Sequence, residues 1–575
     1  MSACDERTES LQDGVTLRWG IEIPLRDGVR LSGFLYLPRA ASSPAILTLT
    51  PYTAQRYHAW GLYFASHGYA FLAVDVRGRG NSEGEFDPQI NEAKDGHDVV
   101  EWLARQSYCN GQVAMCGGSY NGYAQWAAAK EFPKHLTTIV PIAAPCYGVD
   151  LPFRNNVFFC HRVRWLSMVW GRTAQNEIFG SDRFWRARLQ KFFESGLPFS
   201  RIDEFFFGAP SPILQRWLAH PTPDEYWSSR NPTVEQYARI EIPILTITGC
   251  YDAAQPGALE HYRRHVRYAS AEARARHYLV IGPWDHAGTR TPQLKFGGVT
   301  VGSASLIDMD GLHRDWYAWV LQRGPKPRFL ERLVAYYVMG AERWRYADTL
   351  EEITARHETL HLGSDCNPLD VFHSGSLTSE LSGGRAHDCY VYDPHDVSHA
   401  AVESKVDPAD LCDQRMIHAL SGRQLIYHSA PFEHDTEISG FFELALWLAI
   451  DQPDTDVRVR IYAIDVGGGS ALLSEDWIRA RHLGSLSEER TIWTREPLLY
   501  RFEHFTFVSR VLAAGHRLRL VVGPINSIYM QKNYNSGAVV AQESIADARP
   551  VTVQLFHEQE HVSALRVPIG RPESP

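Results

Sequence analysis

The sequence has few of the residues that staple a fold covalently or through metal. Nine cysteines are spread over 575 residues, an odd number with no C-x-x-C pair, so neither a disulfide framework nor a structural zinc site is expected. No stretch approaches the roughly 20 apolar residues that a membrane helix needs. The opening M-S-A-C-D-E-R-T-E-S is acidic and polar, without the apolar core of a secretory signal. Basic residues are not in excess either: 57 Lys and Arg against 67 Asp and Glu give a net charge of −10, which excludes a globally basic nucleic-acid binder. Together these absences predict a cytoplasmic protein with no nucleic-acid partner, no membrane partner, no cofactor and no metal. What is present is an ordinary globular composition, 44% hydrophobic and 12% aromatic, on a chain long enough for three or four units of about 150 residues.

The first part of the chain alternates short apolar runs with amphipathic stretches. A-I-L-T-L-T (45–50), Y-A-F-L-A-V (69–74) and Q-V-A-M-C (112–116) read as buried strands. Val99, Trp102 and Leu103 share one helix face between the last two, and Thr138 to Ala144 continues the pattern. Such alternation predicts a mostly parallel sheet covered by helices. From about 146 to 240 the text becomes aromatic and helix-compatible, and strands then resume at 242–249 and 277–282. The economical segmentation is one α/β domain, 1–145 with 241–350, interrupted by a helical insertion at 146–240. Beyond 350 the pattern is all-β: Val457, Val459 and Ile461 alternate with Arg458 and Arg460, and Leu518, Leu520 and Val522 with Arg517 and Arg519, each suggesting a strand with one solvated face. F-F-E-L-A-L-W-L-A-I (441–450) fits a central strand or a buried helix, and the flanking Gly- and Asp-rich breaks favour the strand.

The strongest chemical signal is G-Q-V-A-M-C-G-G-S-Y-N-G-Y, a strand running through Gly117-Gly118-Ser119 into an alanine-rich helical run. This is the setting of a nucleophile elbow, with the serine on a tight turn and helix N–H groups at hand for an oxyanion. Asn121 stands where the general G-x-S-x-G pattern has glycine, and Gly122 follows one place later. A serine hydroxyl needs a base, and in this architecture the chain order is Ser, acid, His, each after a strand. G-C-Y-D places Asp252 after one strand and G-P-W-D-H-A-G places His286 after the next. Asp75 and Asp285 are the competing acids; Asp75 reads better as a loop partner of Arg77 or Arg79, and Asp285 as a neighbour whose side chain diverges from His286. R-G-R-G-N-S-E-G lacks the Lys-Ser/Thr of a phosphate-binding loop and reads as a structural turn, while Cys116 and Cys250 read as small core residues.

At this point the chain resembles the cocaine-esterase-like acyl esterases, relatives of the X-Pro dipeptidyl-peptidases (S15) and α-amino-acid ester hydrolases. The motifs that carry the resemblance run in order through nearly its whole length: R-D-G-V-R-L, P-Y at 51–52, D-V-R-G-R-G-N-S-E-G-E-F, G-G-S-Y-N-G, H-P-T-P-D-E-Y-W, G-C-Y-D, G-P-W-D-H, V-M-G-A-E-R-W-R, A-G-H-R-L-R-L and N-Y-N-S-G. The resemblance implies an α/β-hydrolase domain, a helical cap over 146–240 and a C-terminal jelly-roll β-sandwich over 351–575. It also implies Ser119 as nucleophile, Asp252 as acid, His286 as base, and an oxyanion hole made by the Tyr52 hydroxyl and the backbone of Tyr120. Two departures, Cys250 where the family often has Trp and Thr53-Ala54 where it has a basic residue, bear on substrate choice and not on proton transfer.

The function expected is hydrolysis of a small carboxylic ester, or of an activated amide, through an acyl-enzyme on Ser119. An X-Pro peptidase acting on a peptide-like substrate, an α-amino-acid ester hydrolase or acyltransferase, and an inactive binding scaffold are the alternatives. Trp165, Trp170 and the small Ala254 are expected to line the acyl pocket, with Phe184, Trp185, Phe192 and Phe193 adding aromatic surface. An ammonium-recognising enzyme would need carboxylates facing the substrate, for which Asp150, Glu177, Asp203 and Glu204 are the candidates. The edge of a β-sandwich offers a surface for self-association.

Overall fold

The structure is a computed structural model describing residues 7–10, 14–381 and 384–571. Most of the opening decapeptide, on which the expectation about export rests, lies outside that range. Among the described residues one sheet has eleven strands. In spatial order they are Arg7–Ser10, Thr16–Pro24, Arg30–Leu37, Ala70–Asp75, Ser43–Thr50, Cys109–Gly118, Leu136–Ile142, Ile244–Tyr251, His277–Asp285, Val334–Val338 and Arg343–Ala347. From Ala70–Asp75 through Val334–Val338 neighbouring strands run parallel, and antiparallel pairs close both edges. The strand Ser43–Thr50 sits between Ala70–Asp75 and Cys109–Gly118, so the winding direction reverses there. A parallel sheet opens a crevice at the carboxyl ends of its strands at such a reversal.

Period-two alternation divides the sheet's side chains between two cores. Ala45, Leu47 and Leu49 join the cluster that holds Val99, Val100 and Leu103 of the helix Glu92–Ala104. Ile46, Phe71 and Ala73 face the other way, onto Phe64, Trp316 and Tyr317. Both faces of the central strands are therefore buried, which is why they read as continuous apolar runs.

Between Leu136–Ile142 and Ile244–Tyr251 lie a short hairpin, Phe153–Arg154 with Val157–Phe158, and a series of helices, of which His161–Met168 and Asp182–Ser195 matter most below. Trp185, Phe192 and Phe193 are buried there. The segment is tied to the C-terminal part of the chain: Trp477 Nε1 donates to the Arg154 carbonyl at 2.8 Å, and the Cys160 N–H to the Tyr529 carbonyl at 2.9 Å.

From Thr354 to Gly570 the chain forms a second, thirteen-stranded sheet system. Val457, Val459 and Ile461 are fully buried in its core, and Glu443–Ile450 is a strand, as the flanking breaks indicated. The solvated face expected beside Leu518–Val522 is partly covered, because Arg519 is buried and donates to His428 and to Gln414 at 2.9 Å or less. Ile417, on the short helix Arg415–Ala419, packs with Ile426, Tyr462 and Val521 on that outer face. A local helix covering a strand leaves no trace in the strand's own alternation. No helix of the described residues is long and apolar enough to cross a membrane, and no group of three metal-ligating side chains occurs among them.

Candidate active site

Ser119 lies between the strand Cys109–Gly118 and the helix Tyr120–Ala129 with φ 61° and ψ −122°, a conformation that non-glycine residues adopt at a cost of about 1–3 kcal/mol. The surroundings fix it there. Gly122 is required because a Cβ would stand 2.7 Å from the Ile142 carbonyl oxygen, so the helix can approach the neighbouring strand only at glycine. The Ser119 N–H donates to that same carbonyl at 2.9 Å. Asn121, the residue that broke the general pattern, donates to Thr48 Oγ1 at 2.9 Å and to the Tyr57 hydroxyl at 2.8 Å, fastening the elbow to the neighbouring strand Ser43–Thr50 and to the turn that follows it. As the first residue of its helix, Tyr120 has no intrahelical acceptor for its N–H.

Asp252 and His286 follow adjacent parallel strands and meet, with His286 Nδ1 2.7 Å from Asp252 Oδ1. The Asp252 side chain is 0% exposed and that of His286 39%. Asp252 also accepts from Thr248 Oγ1 at 3.0 Å and from the Ala254 N–H at 2.9 Å. Burial pushes its carboxyl up, but the imidazole and these donors outweigh burial and hold it below its ordinary value. An ionised carboxylate only accepts, so Nδ1 must donate, which leaves the Nε2 lone pair free to take a proton. The loop after His286 crosses back over the elbow: Arg290 packs so closely on Gly118 that a Cβ there would lie 2.7 Å from Nη1. Both competing acids are otherwise engaged. Asp285 accepts from the Gly288 N–H at 2.7 Å, and Asp75 from the Ala54 N–H at 2.8 Å.

Tyr52 follows the strand Ser43–Thr50, which pairs directly with the Ser119 strand. Its hydroxyl accepts from Trp165 Nε1 at 3.2 Å, so the phenolic proton is not spent on that contact. Thr53 carries φ 73°, and the turn is clamped from below by Arg79, whose Nε donates to the Pro51 carbonyl at 2.8 Å. Burial, opposed by the Ala54 N–H and the Arg79 charge, raises Asp75 to about 6. The Tyr120 ring stacks on Trp165 with centroids 5.9 Å apart, and its hydroxyl donates to buried Glu92.

The remaining expected residues are placed as follows. Trp165 touches both Tyr52 and Tyr120, while Trp170 is 57% exposed and leans on Phe207, and Phe184 is also exposed. Ala254 is buried in the core and contributes its backbone N–H to Asp252. Asp150 is buried and accepts from the Cys146 and Gly257 N–H groups at 2.9 and 3.0 Å. Asp203 is buried among the Ser211 N–H and Gln215, Glu204 pairs with Arg201, and Glu177 lies on the short helix Asn176–Gly180. Arg79 was expected only as a loop partner of Asp75, and its brace on Pro51, Glu92 and the hydrogen-bonding role of Trp165 were not foreseen. The R-G-R-G segment signalled a turn, but nothing in the sequence said which turn it braces. The eight cysteines among the described residues are free thiols, and burial pushes Cys116 and Cys250 upward, away from nucleophilic thiolates.

Residues 27–288 match the X-Pro dipeptidyl-peptidase (S15 family), and residues 330–538 match the X-Pro dipeptidyl-peptidase C-terminal non-catalytic domain. Cocaine esterase from Rhodococcus sp. (strain MB1 Bresler) is 25% identical over 96% of this chain and 98% of its own length. Among solved structures, an α-amino-acid ester hydrolase superposes with a TM-score of 0.82 at 20% identity, covering 98% of this chain and 97% of the other. An aminopeptidase from a marine sediment Thaumarchaeota archaeon gives 0.79 at 20% identity, covering 99% and 96%. The first matched region holds Ser119, Asp252 and His286 and the second most of the β part, so along both regions the chain is similar to the X-Pro dipeptidyl-peptidase (S15) serine hydrolases.

Proposed function

We propose that the protein hydrolyses carboxylic esters through an acyl-enzyme on Ser119. The observation that carries the reading is the 2.7 Å pair between His286 Nδ1 and buried Asp252, on a loop that folds back over the serine elbow. In this reading His286 Nε2 takes the Ser119 proton as Oγ attacks the ester carbonyl, then returns it to the departing alkoxide; Asp252 stabilises the imidazolium throughout. The Tyr52 hydroxyl and the Tyr120 N–H receive the oxyanion, and water completes the cycle by the same route. The helices of 161–239 act as a cap and the C-terminal strands as a jelly roll, with Trp165 forming the wall nearest the oxyanion site and Trp170 and Ala254 more peripheral. Labelling by a fluorophosphonate in wild type, absent in Ser119→Ala, tests the reading directly; labelling that survives in Ser119→Ala sinks it.

For Tyr52→Phe the expected loss in kcat is about 10²–10³, the scale of one oxyanion donor, with KM little changed because the bond strengthens as charge develops. Steady-state kinetics on one activated ester decides it. A normal kcat with weakened affinity would make Tyr52 a wall and not a donor.

Ester substrates without a free amine fit better than α-amino esters or X-Pro anilides. The four carboxylates that could greet an ammonium do not do so: Asp150 is buried against two backbone N–H groups, Asp203 is buried in its own hydrogen bonds, Glu204 is paired, and Glu177 belongs to a short helix with no buried residue. An aromatic acyl ester is therefore expected to exceed the matching α-amino ester in kcat/KM. A free-amine substrate that wins, and loses its advantage on N-acetylation, would return the assignment to the aminopeptidase-like relatives.

A further inference from the structure

Two arginines beside this site have no side-chain hydrogen bond or ion pair among the described residues. Arg162 and Trp165 stand three residues apart on the helix His161–Met168, a spacing that puts both on one face, and Trp165 reaches the Tyr52 hydroxyl from there. Arg162 is half-buried, and its Nε is shut off from solvent without an acceptor. Tyr52, Tyr147 and Asp150 are within electrostatic reach of its guanidinium, and His286 is within reach of the adjacent His161. At the elbow itself Arg290 packs on Gly118, also half-buried, with Nη1 enclosed and unpartnered. Neither guanidinium makes a hydrogen bond or an ion pair with another described residue. The neighbouring arginines differ: Arg164 is paired with Asp182 at 2.7 Å, and Arg79 is spent on backbone carbonyls.

The carboxyl groups at hand do not neutralise this pair. Asp252 is committed to His286, Thr248 and Ala254. Asp150, the carboxyl nearest to Arg162 in electrostatic terms, is raised by burial to about 8 and is thus mostly protonated at neutral pH. A half-buried guanidinium with an enclosed, empty donor is costly to leave unmatched, and its planar fork suits a carboxylate. We propose that Arg162, together with Arg290 at the elbow, selects ester substrates that carry a carboxylate close to the scissile bond. The inference rests on the esterase reading, and it adds the charge of the substrate. It also gives a physical reason for disfavouring substrate ammonium groups, since two cations would meet them.

The test compares matched esters. For a carboxylate on the acyl side, 4-nitrophenyl hydrogen glutarate is set against 4-nitrophenyl butyrate; for the alcohol side, 4-carboxyphenyl butyrate against 4-carbamoylphenyl butyrate. Wild type is expected to favour the anionic ester in one of these pairs by about tenfold in kcat/KM. Arg162→Gln should remove most of that ratio and Arg162→Lys should keep part of it, because a point charge replaces the fork. Preference for the neutral ester in both pairs, or a ratio untouched by Arg162→Gln, overturns the proposal. Calorimetric binding of monomethyl glutarate against its primary amide, on the folded Ser119→Ala protein, separates the two readings. Tighter binding of the acid is expected and equal binding overturns the proposal, whereas failure of every ester to react with wild type counts against the esterase reading alone.

Discussion

Ser119→Ala and His286→Ala should each lower kcat on an activated ester by about 10⁶, and the double variant should fall hardly further. The reason is that neither group works without the other. A serine hydroxyl at neutral pH is a poor nucleophile until a base accepts its proton during attack, and an imidazole with no hydroxyl to relieve has no covalent route to offer. The geometry suits this duty: Nδ1 lies 2.7 Å from Asp252 Oδ1, and the His286 side chain is 39% exposed. Residual turnover in all three variants should be alike, reflecting binding and the oxyanion donors, which these substitutions leave in place. Independent, multiplying losses would show that His286 and Ser119 do not share one proton. Substantial activity in Ser119→Ala would remove the acyl-enzyme altogether.

The residues that could be read from sequence are those whose chemistry is tied to a strand end. Ser119, Asp252 and His286 each follow an apolar run that forms a parallel strand, so their order and spacing were sufficient to bring them to one sheet edge. The elbow's glycines were visible for the same reason, as close backbone approach leaves a compositional mark. Tyr52 was reached only through resemblance, since a tyrosine after a strand-ending T-P has no periodicity of its own. What stayed hidden was set by contacts distant in sequence. The Trp165 bond to Tyr52 spans 113 residues, and the Arg79 brace on Pro51 spans 28 in a segment legible only as a turn. Aromatic content marked the helical segment as apolar but could not sort its rings: Trp165 faces the site, Trp185 and Phe192 build the segment's own core, and Trp170 is largely solvated. The buried Arg519 shows the converse failure, a strand whose polar face is covered by another element.

Asp252→Asn should cost about 10⁴ in kcat, less than loss of the base itself but far more than a lost surface charge. The carboxylate accepts from three donors, the Thr248 hydroxyl, the Ala254 N–H and His286 Nδ1, in a site with no exposure. An amide offers one acceptor oxygen. The Oδ1 position, which meets both the Ala254 N–H and His286 Nδ1, is then filled either by oxygen, which holds the imidazole without a charge to stabilise its cation, or by NH₂, which obliges Nδ1 to accept. In the latter case the proton sits on Nε2, and the atom that should take the Ser119 proton already has one. The same substitution removes a pH-dependent part of stability. Since the folded carboxyl lies below its unfolded value of about 3.9, its contribution is complete at neutral pH and is lost as pH falls through the lower, folded value. Thermal midpoints of wild type and Asp252→Asn should accordingly differ most near neutrality and converge in acid. Asp285→Asn serves as the control, because Asp285 caps the Gly288 N–H and leaves the imidazole alone, so its kcat should remain within a few-fold of wild type. If instead Asp252→Asn keeps full activity while Asp285→Asn or Asp75→Asn loses it, the acid of the triad is misassigned and the 2.7 Å pair is structural.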